Sequence, residues 1–170
     1  MGKYLNASFP FGLTGGAFCI IAFWLMHWMG QEPVNITLTF GYLIIPIFVF
    51  LGIKNYRDKL NGGELFFGPG MTVGFCIYML IAMMSAINVW VALSILPEIL
   101  ETYRDLKYNM VLTNKTRLIE QLDADAVEKT LQSIQSMSAY NAAIDDFLRK
   151  IFPGLFFTII ISIILKRTKT

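Results

Sequence analysis

A chain of 170 residues that is 55% hydrophobic and only 15% charged departs from soluble domains, in which roughly 25% of residues are charged. Its apolar residues fall in four blocks almost free of charge, which excludes a soluble core with polar faces spread along every helix. The formal net charge of +2 is too small for a nucleic-acid binder. One domain is expected from the length, and an integral membrane protein from the composition.

A short polar lead with one cation, Lys3, precedes the first apolar run, residues 9–29. As a helix this run reaches about 31 Å, enough for a hydrocarbon core of about 30 Å, and it is longer than a signal-peptide core of ~7–15 residues. Gly12 and Gly16 form a GxxxG, a face on which a neighbouring helix can approach closely. Trp24, His27 and Trp28 sit at the far end, where amphipathic rings prefer the headgroup layer. His27 reads as an interfacial residue, not a proton sensor.

Residues 31–35 make a tight connection whose one charge is Glu32 and whose Pro33 stops the helix. The second span covers residues 36–53, with Pro46 expected to kink it near Tyr42 to Ile45. Beyond it Lys54, Tyr56, Arg57, Asp58 and Lys59 crowd against an Asn61-Gly62-Gly63 turn, followed by Glu64. Helix is expected to continue through Tyr56 to Lys59, and glycine then supplies the left-handed backbone of a C-cap.

The third span, residues 68–96, has no charged side chain, and at about 44 Å of helix it must tilt or project. Gly70, Gly74, Ala82 and Ala86 form a second small-residue stripe, expected to pack on the Gly12/Gly16 face. Asn88 is expected to make an interhelical hydrogen bond.

Residues 98–146 read as an extramembrane helical hairpin. Ile99, Tyr103, Leu106 and Met110 recur at helical spacing opposite Glu101, Arg104, Asp105 and Lys107. Asp125 and Glu128 resemble a capping box. They open a second amphipathic helix, Val127, Leu131, Ile134, running through Ile144 and Leu148. The last span, residues 147–165, reaches about 28 Å if Arg149 and Lys150 snorkel to the headgroups. Lys166, Arg167 and Lys169 follow it.

Even-numbered spans place both termini and the charged turn on one side. The short segments there carry seven cations and residues 31–35 none, so the positive-inside rule puts the termini in the cytoplasm. The long connection also carries seven, which weakens the asymmetry. The expected fold is therefore all-α: an integral membrane protein with four transmembrane helices and an extramembrane helical hairpin between the third and fourth.

The stretch GIKNYRDKLNGGELFFGPGMTVG, residues 52–74, resembles the signature of a bacterial membrane family known as domain of unknown function four-one-nine-nine, typical of the Bacteroidota. Gly52, Lys54, Tyr56, Arg57, Asp58, Lys59, Asn61, Gly62, Gly63, Phe67 and Gly68 carry the likeness. Pro69 departs from it, where many members have lysine. The resemblance implies four spans with a long helical third connection in a bacterial inner membrane, and it implies no activity.

Three functional readings remain on these grounds. The first is a non-enzymatic scaffold or accessory subunit of a membrane complex, with the lipid bilayer and other inner-membrane proteins or a second copy as partners. A small transporter or channel is the second, disfavoured because no ionisable residue lies in the central portion of a span. An enzyme for lipid-linked substrates at the cytoplasmic face is the third, for which the sequence offers no nucleophile–base or metal-ligand spacing. Cys19 and Cys76 read as small buried hydrophobes, and no metal, cofactor or nucleic acid is expected. The best contact site is the charged turn, Lys54 to Glu64. It either holds an anionic headgroup or is an internal anchor in which Arg57 pairs with Asp58 or Glu64.

Overall fold

The computed structural model describes residues 2–168. Four long helices build a bundle: α1 (Gly2–Trp28), α2 (Pro33–Asn55), α3 (Phe67–Ile95) and, last in the chain, α7 (Ala139–Ile164). Between α3 and α7 lie α4 (Pro97–Thr113), α5 (Lys115–Leu122) and α6 (Ala124–Gln135). The four long helices all have the length and hydropathy to cross a bilayer. This is an all-α integral membrane protein. Lys169, which entered the charge count above, lies outside the described residues.

The boundaries move for identifiable reasons. α1 already begins at Gly2 and carries Pro10 inside it. Ser8 helps to hold this early part against α3, its Oγ lying 2.7 Å from the Tyr4 carbonyl and 3.1 Å from that of Val73. Glu32 does more than fill a loop, because its carboxylate caps α2, accepting from the Val34 and Asn35 amides at 2.7 and 2.9 Å. Burial raises the Glu32 carboxyl above its ordinary range. After Asn55 the helix widens into a π-helical turn, Tyr56–Leu60, before it ends.

The hairpin differs more. Between the two arms lies a further helix, α5, and the capping residue of α6 is Asp123, which accepts from the Ala126 amide at 2.8 Å; Asp125 is already inside the helix. The expected second arm does not run on to Leu148. It stops at Gln135, and Ser138 caps a new helix by accepting from the Asn141 amide at 3.2 Å. Residues 139–146, assigned to the hairpin by the sequence pattern, are instead the first two turns of the fourth long helix.

Helix α3 sits between α1 and α7. Gly12 and Gly16 do mark the close approach of α1 to α3, but the side chains they admit are Leu80 and Met84. The expected pairing of the two glycine stripes is wrong. Gly70 and Gly74 lie on a different face of α3, against Ser162 and Thr158 of α7, and a Cβ on Gly70 would come within 3.0 Å of Ser162 Oγ. The antiparallel register then continues with Tyr78 over Gly154 and Ser85 beside Asp146. Small residues thus alternate sides along one seam, which brings the two backbones together where lipid provides no hydrophobic drive.

Candidate functional site

Along α7 the residues Asp146, Lys150, Gly154, Thr158 and Ser162 recur every fourth position, and all five are buried. A spacing of four keeps them on one face, and that face looks into the bundle. Its charged end interrupts the apolar interior. One cluster of buried residues, including Val34, Val89, Leu93, Ile99 and Ala142, fills the hairpin side. A second, including Ile45, Val49, Ile77, Ile81 and Ile161, fills the side of the charged turn. Between them α2 contributes Gly41, α3 Ser85, and α7 Asp146 and Lys150. Gly41 is eight residues into α2 and Ser85 ten from the end of α3, so this polar layer lies about 12–15 Å from the helix ends.

Lys150 is completely buried and Asp146 is 2% exposed. The Lys150 ammonium donates to Asp146 Oδ1, and Ser85 Oγ donates to Oδ2 at 2.9 Å. The lysine stem crosses α2 at Gly41, where an added Cβ would be 2.7 Å from Cε. Two statements made from the sequence are therefore corrected. Lys150 does not snorkel outward, since it has an acid one turn back and a glycine that leaves room for its stem. The interior of a span does contain ionisable residues. The arrangement brings one lysine, one aspartate and one serine hydroxyl together in a buried layer.

On the hairpin side a second network ties α4 to the start of α7. Asp145 accepts from Lys107 Nζ at 2.6 Å, Arg149 Nε at 3.0 Å and Tyr103 OH at 3.2 Å. Lys107 also lies 4.7 Å from the Tyr103 ring centroid. Burial, reinforced by the Asp145 charge, pushes the Tyr103 phenol well up. Arg104 Nε donates to the Met137 carbonyl at 2.8 Å, holding the α6–α7 link. Asn88 makes its expected bond, accepting from Trp24 Nε1 at 3.1 Å. His27 packs edge-on against Trp24, Cys19 is a buried free thiol, and Cys76 is half-buried and free.

The charged turn is tied inward. Arg57 Nε donates to Asp58 Oδ1 at 2.6 Å and its Nη2 to Oδ2 at 3.2 Å, while Nη1 reaches the Leu165 carbonyl at 3.5 Å. Asn61 Oδ1 accepts from Lys3 Nζ at 3.1 Å and Tyr56 OH at 3.3 Å, and its Nδ2 donates to the Glu64 carbonyl at 2.8 Å. Gly62 and Gly63 take φ of +64° and +83°, a region that side chains disfavour, and the Gly63 amide closes the turn on the Arg57 carbonyl at 2.8 Å. Leu65 and Arg167 exchange backbone hydrogen bonds of 2.8 and 3.0 Å, an antiparallel bridge that sequence reasoning did not foresee. Lys54 and Lys59 are exposed and Glu64 is half-buried. Arg57 takes Asp58 as its partner.

A span beginning at residue 147 leaves Asp146 outside it, and without that acid Lys150 reads as turning outward. The signal that would have found them is the polar stripe itself, Asp146 to Ser162 at steps of four, which a snorkelling lysine would not produce. Among known proteins, the family described as "Protein of unknown function (DUF4199)" matches residues 10–167. No curated protein and no solved structure matches.

Proposed function

We propose that this chain, which belongs to the DUF4199 family of proteins of unknown function, is a non-catalytic accessory subunit that anchors a helical hairpin in a membrane and presents it to a protein partner. The carrying observation is the fate of the apolar stripe on α4. Ile99 and Tyr103 are buried against the bundle, but its continuation is uncovered, Leu106 at 44% and Met110 at 63% exposure. Large apolar side chains displayed together outside the membrane helices mark interaction surfaces. A cleft of about 500 Å³ among α4, α5 and α6, lined by Tyr108, Leu112, Ile119 and Leu131 among others, extends the surface.

Charge favours protein over lipid as the occupant. Residues 97–135 carry seven carboxylates and five cations, whereas helices that lie on anionic membranes are basic. In this reading the membrane is a bacterial inner membrane, with the termini cytoplasmic and the hairpin outside, as the uneven cations of the short connections suggest. Reporter fusions after Thr170 and at Asn114 test the orientation, and a cytoplasmic signal from Asn114 would reverse it. Photo-crosslinking from position 110 tests the partner. Adducts with one protein, lost in Leu106→Asp, support the reading; adducts with lipid alone refute it.

The polar layer favours a second reading, a small transporter or channel, because ionisable side chains inside a span mark ion or proton paths. Proteoliposomes carrying an internal pH dye distinguish it. Proton or cation flux abolished by Asp146→Asn would favour transport, and none above empty liposomes leaves the accessory reading.

A further inference from the structure

The bridge between Leu65 and Arg167 does something the linear sequence hides. It brings the segment after α7 against the charged turn, while the Lys3–Asn61 hydrogen bond brings the start of α1 to the same place. Cations from three distant parts of the chain, Lys3, Lys54, Lys59, Lys166 and Arg167, therefore surround one membrane-edge turn. Lys54 and Arg167 lie near enough to act on the same Asp58 carboxylate.

The acids there do not balance them. Asp58 is taken up by Arg57 in a two-pronged pair, which leaves Glu64 against five cations. Lys3 gives its hydrogen bond to a neutral amide and lies over the Tyr56 ring at 5.4 Å, so its charge is not cancelled. Lys54, Lys59, Lys166 and Arg167 are all exposed, and none forms an ion pair among the described residues. Next to them Leu60, Phe66 and Phe67 are exposed apolar side chains at the mouth of α3. That combination, cations over an apolar skirt at the end of membrane helices, matches an anionic lipid, with its charge in the headgroup and its chains alongside. A soluble phosphate would use the cations and have no use for the skirt.

We propose that this rim is a binding site for the headgroup of an anionic phospholipid, held by Lys54, Lys59 and Arg167 with Lys3 and Lys166 at its edge. Arg57 is not a ligand. Its guanidinium is turned onto Asp58 and the Leu165 carbonyl, so its part is to hold the turn that spaces the cations.

The test uses the full chain in nanodiscs of mixed phosphatidylglycerol and phosphatidylcholine, followed by mild extraction and native mass spectrometry of the lipids retained. The wild type is expected to retain phosphatidylglycerol several-fold over its share of the bilayer, less so in high salt. Lys59→Gln with Arg167→Gln should bring retention down to that share. Lys115→Gln with Arg117→Gln, which removes equal charge from the hairpin, should leave the preference per folded molecule unchanged. Melting curves show which variants are folded, and Lys54→Gln replaces the rim double if that one is not. No preference in the wild type, an unchanged preference in the folded rim variant, or an equal loss in the hairpin variant would each overturn the proposal. Displacement of the lipid by inorganic phosphate alone would also overturn it, because the occupant would then be a free anion.

Discussion

Arg57–Asp58 and Asp146–Lys150 are both acid–base pairs, yet they sit in opposite surroundings. The first lies at the rim, partly in solvent, within a dense run of charge that draws the eye in the sequence. The second is buried within the bundle, in a stretch that reads as the ragged end of a span. Crowded charge is inexpensive at a wet rim, where each ion keeps its hydration and contributes little to stability. A single pair in a buried layer loses that hydration, so removing either partner leaves a charge with nowhere to go. Prominence in the sequence and energetic consequence run in opposite directions here.

The comparison can be broken most directly at Asp146. Asp146→Ala should destabilise the protein by about 3–5 kcal/mol, because Lys150 remains buried and unpaired. Joint replacement, Asp146→Leu with Lys150→Met, should return stability to within about 1 kcal/mol of the wild type or above it. Unfolding in detergent measures both, and equal losses in the single and joint variants would show that the pair is not acting through desolvated charge. Next in size is the seam beside it. Gly74→Leu should destabilise by about 1–3 kcal/mol through overpacking, since the added side chain meets Thr158 and Ile53. An unchanged melting temperature would mean that α3 and α7 can part there.

Ser85→Ala sharpens the same contrast at lower amplitude. It should remove about 1–2 kcal/mol, the loss of one hydrogen bond to a charged group whose other partner stays in place. The smallest effect should come from Arg57→Ala, a slight fall in melting temperature that shrinks further as salt screens the rim. A loss there as large as that of Asp146→Ala would invert the comparison.

Much of the architecture was legible without coordinates. The four long apolar helices, the more polar helices between the third and fourth, and the glycine-closed turn all follow from local rules. What escaped was which partner most distant segments meet, the Asn88 bond and the approach of Gly12 and Gly16 to α3 apart. Small-residue stripes carry no label for their partner, so the sequence does not say which neighbour of α3 fills Gly70 and Gly74. Snorkelling is the default for a lysine near a span end, so the sequence points Lys150 outward. Gly41, more than 100 residues away in the chain, is what allows it to turn in. The Leu65–Arg167 bridge uses backbone groups alone and leaves no trace in side-chain pattern.

By itself, then, the sequence determined that this is a four-span helical membrane protein with a polar hairpin and a crowded, cationic turn. Hydrophobic run length, proline and glycine positions and the charge of short connections act within a few residues, so they can be read in one dimension. Tertiary structure decided which face of α3 meets which neighbour, that the fourth helix starts at Ala139, and that a lysine and an aspartate share a buried layer within the bundle. Those outcomes depend on whether a facing helix supplies a gap, a hydroxyl or an opposite charge. Such complementarity exists only once the helices are packed.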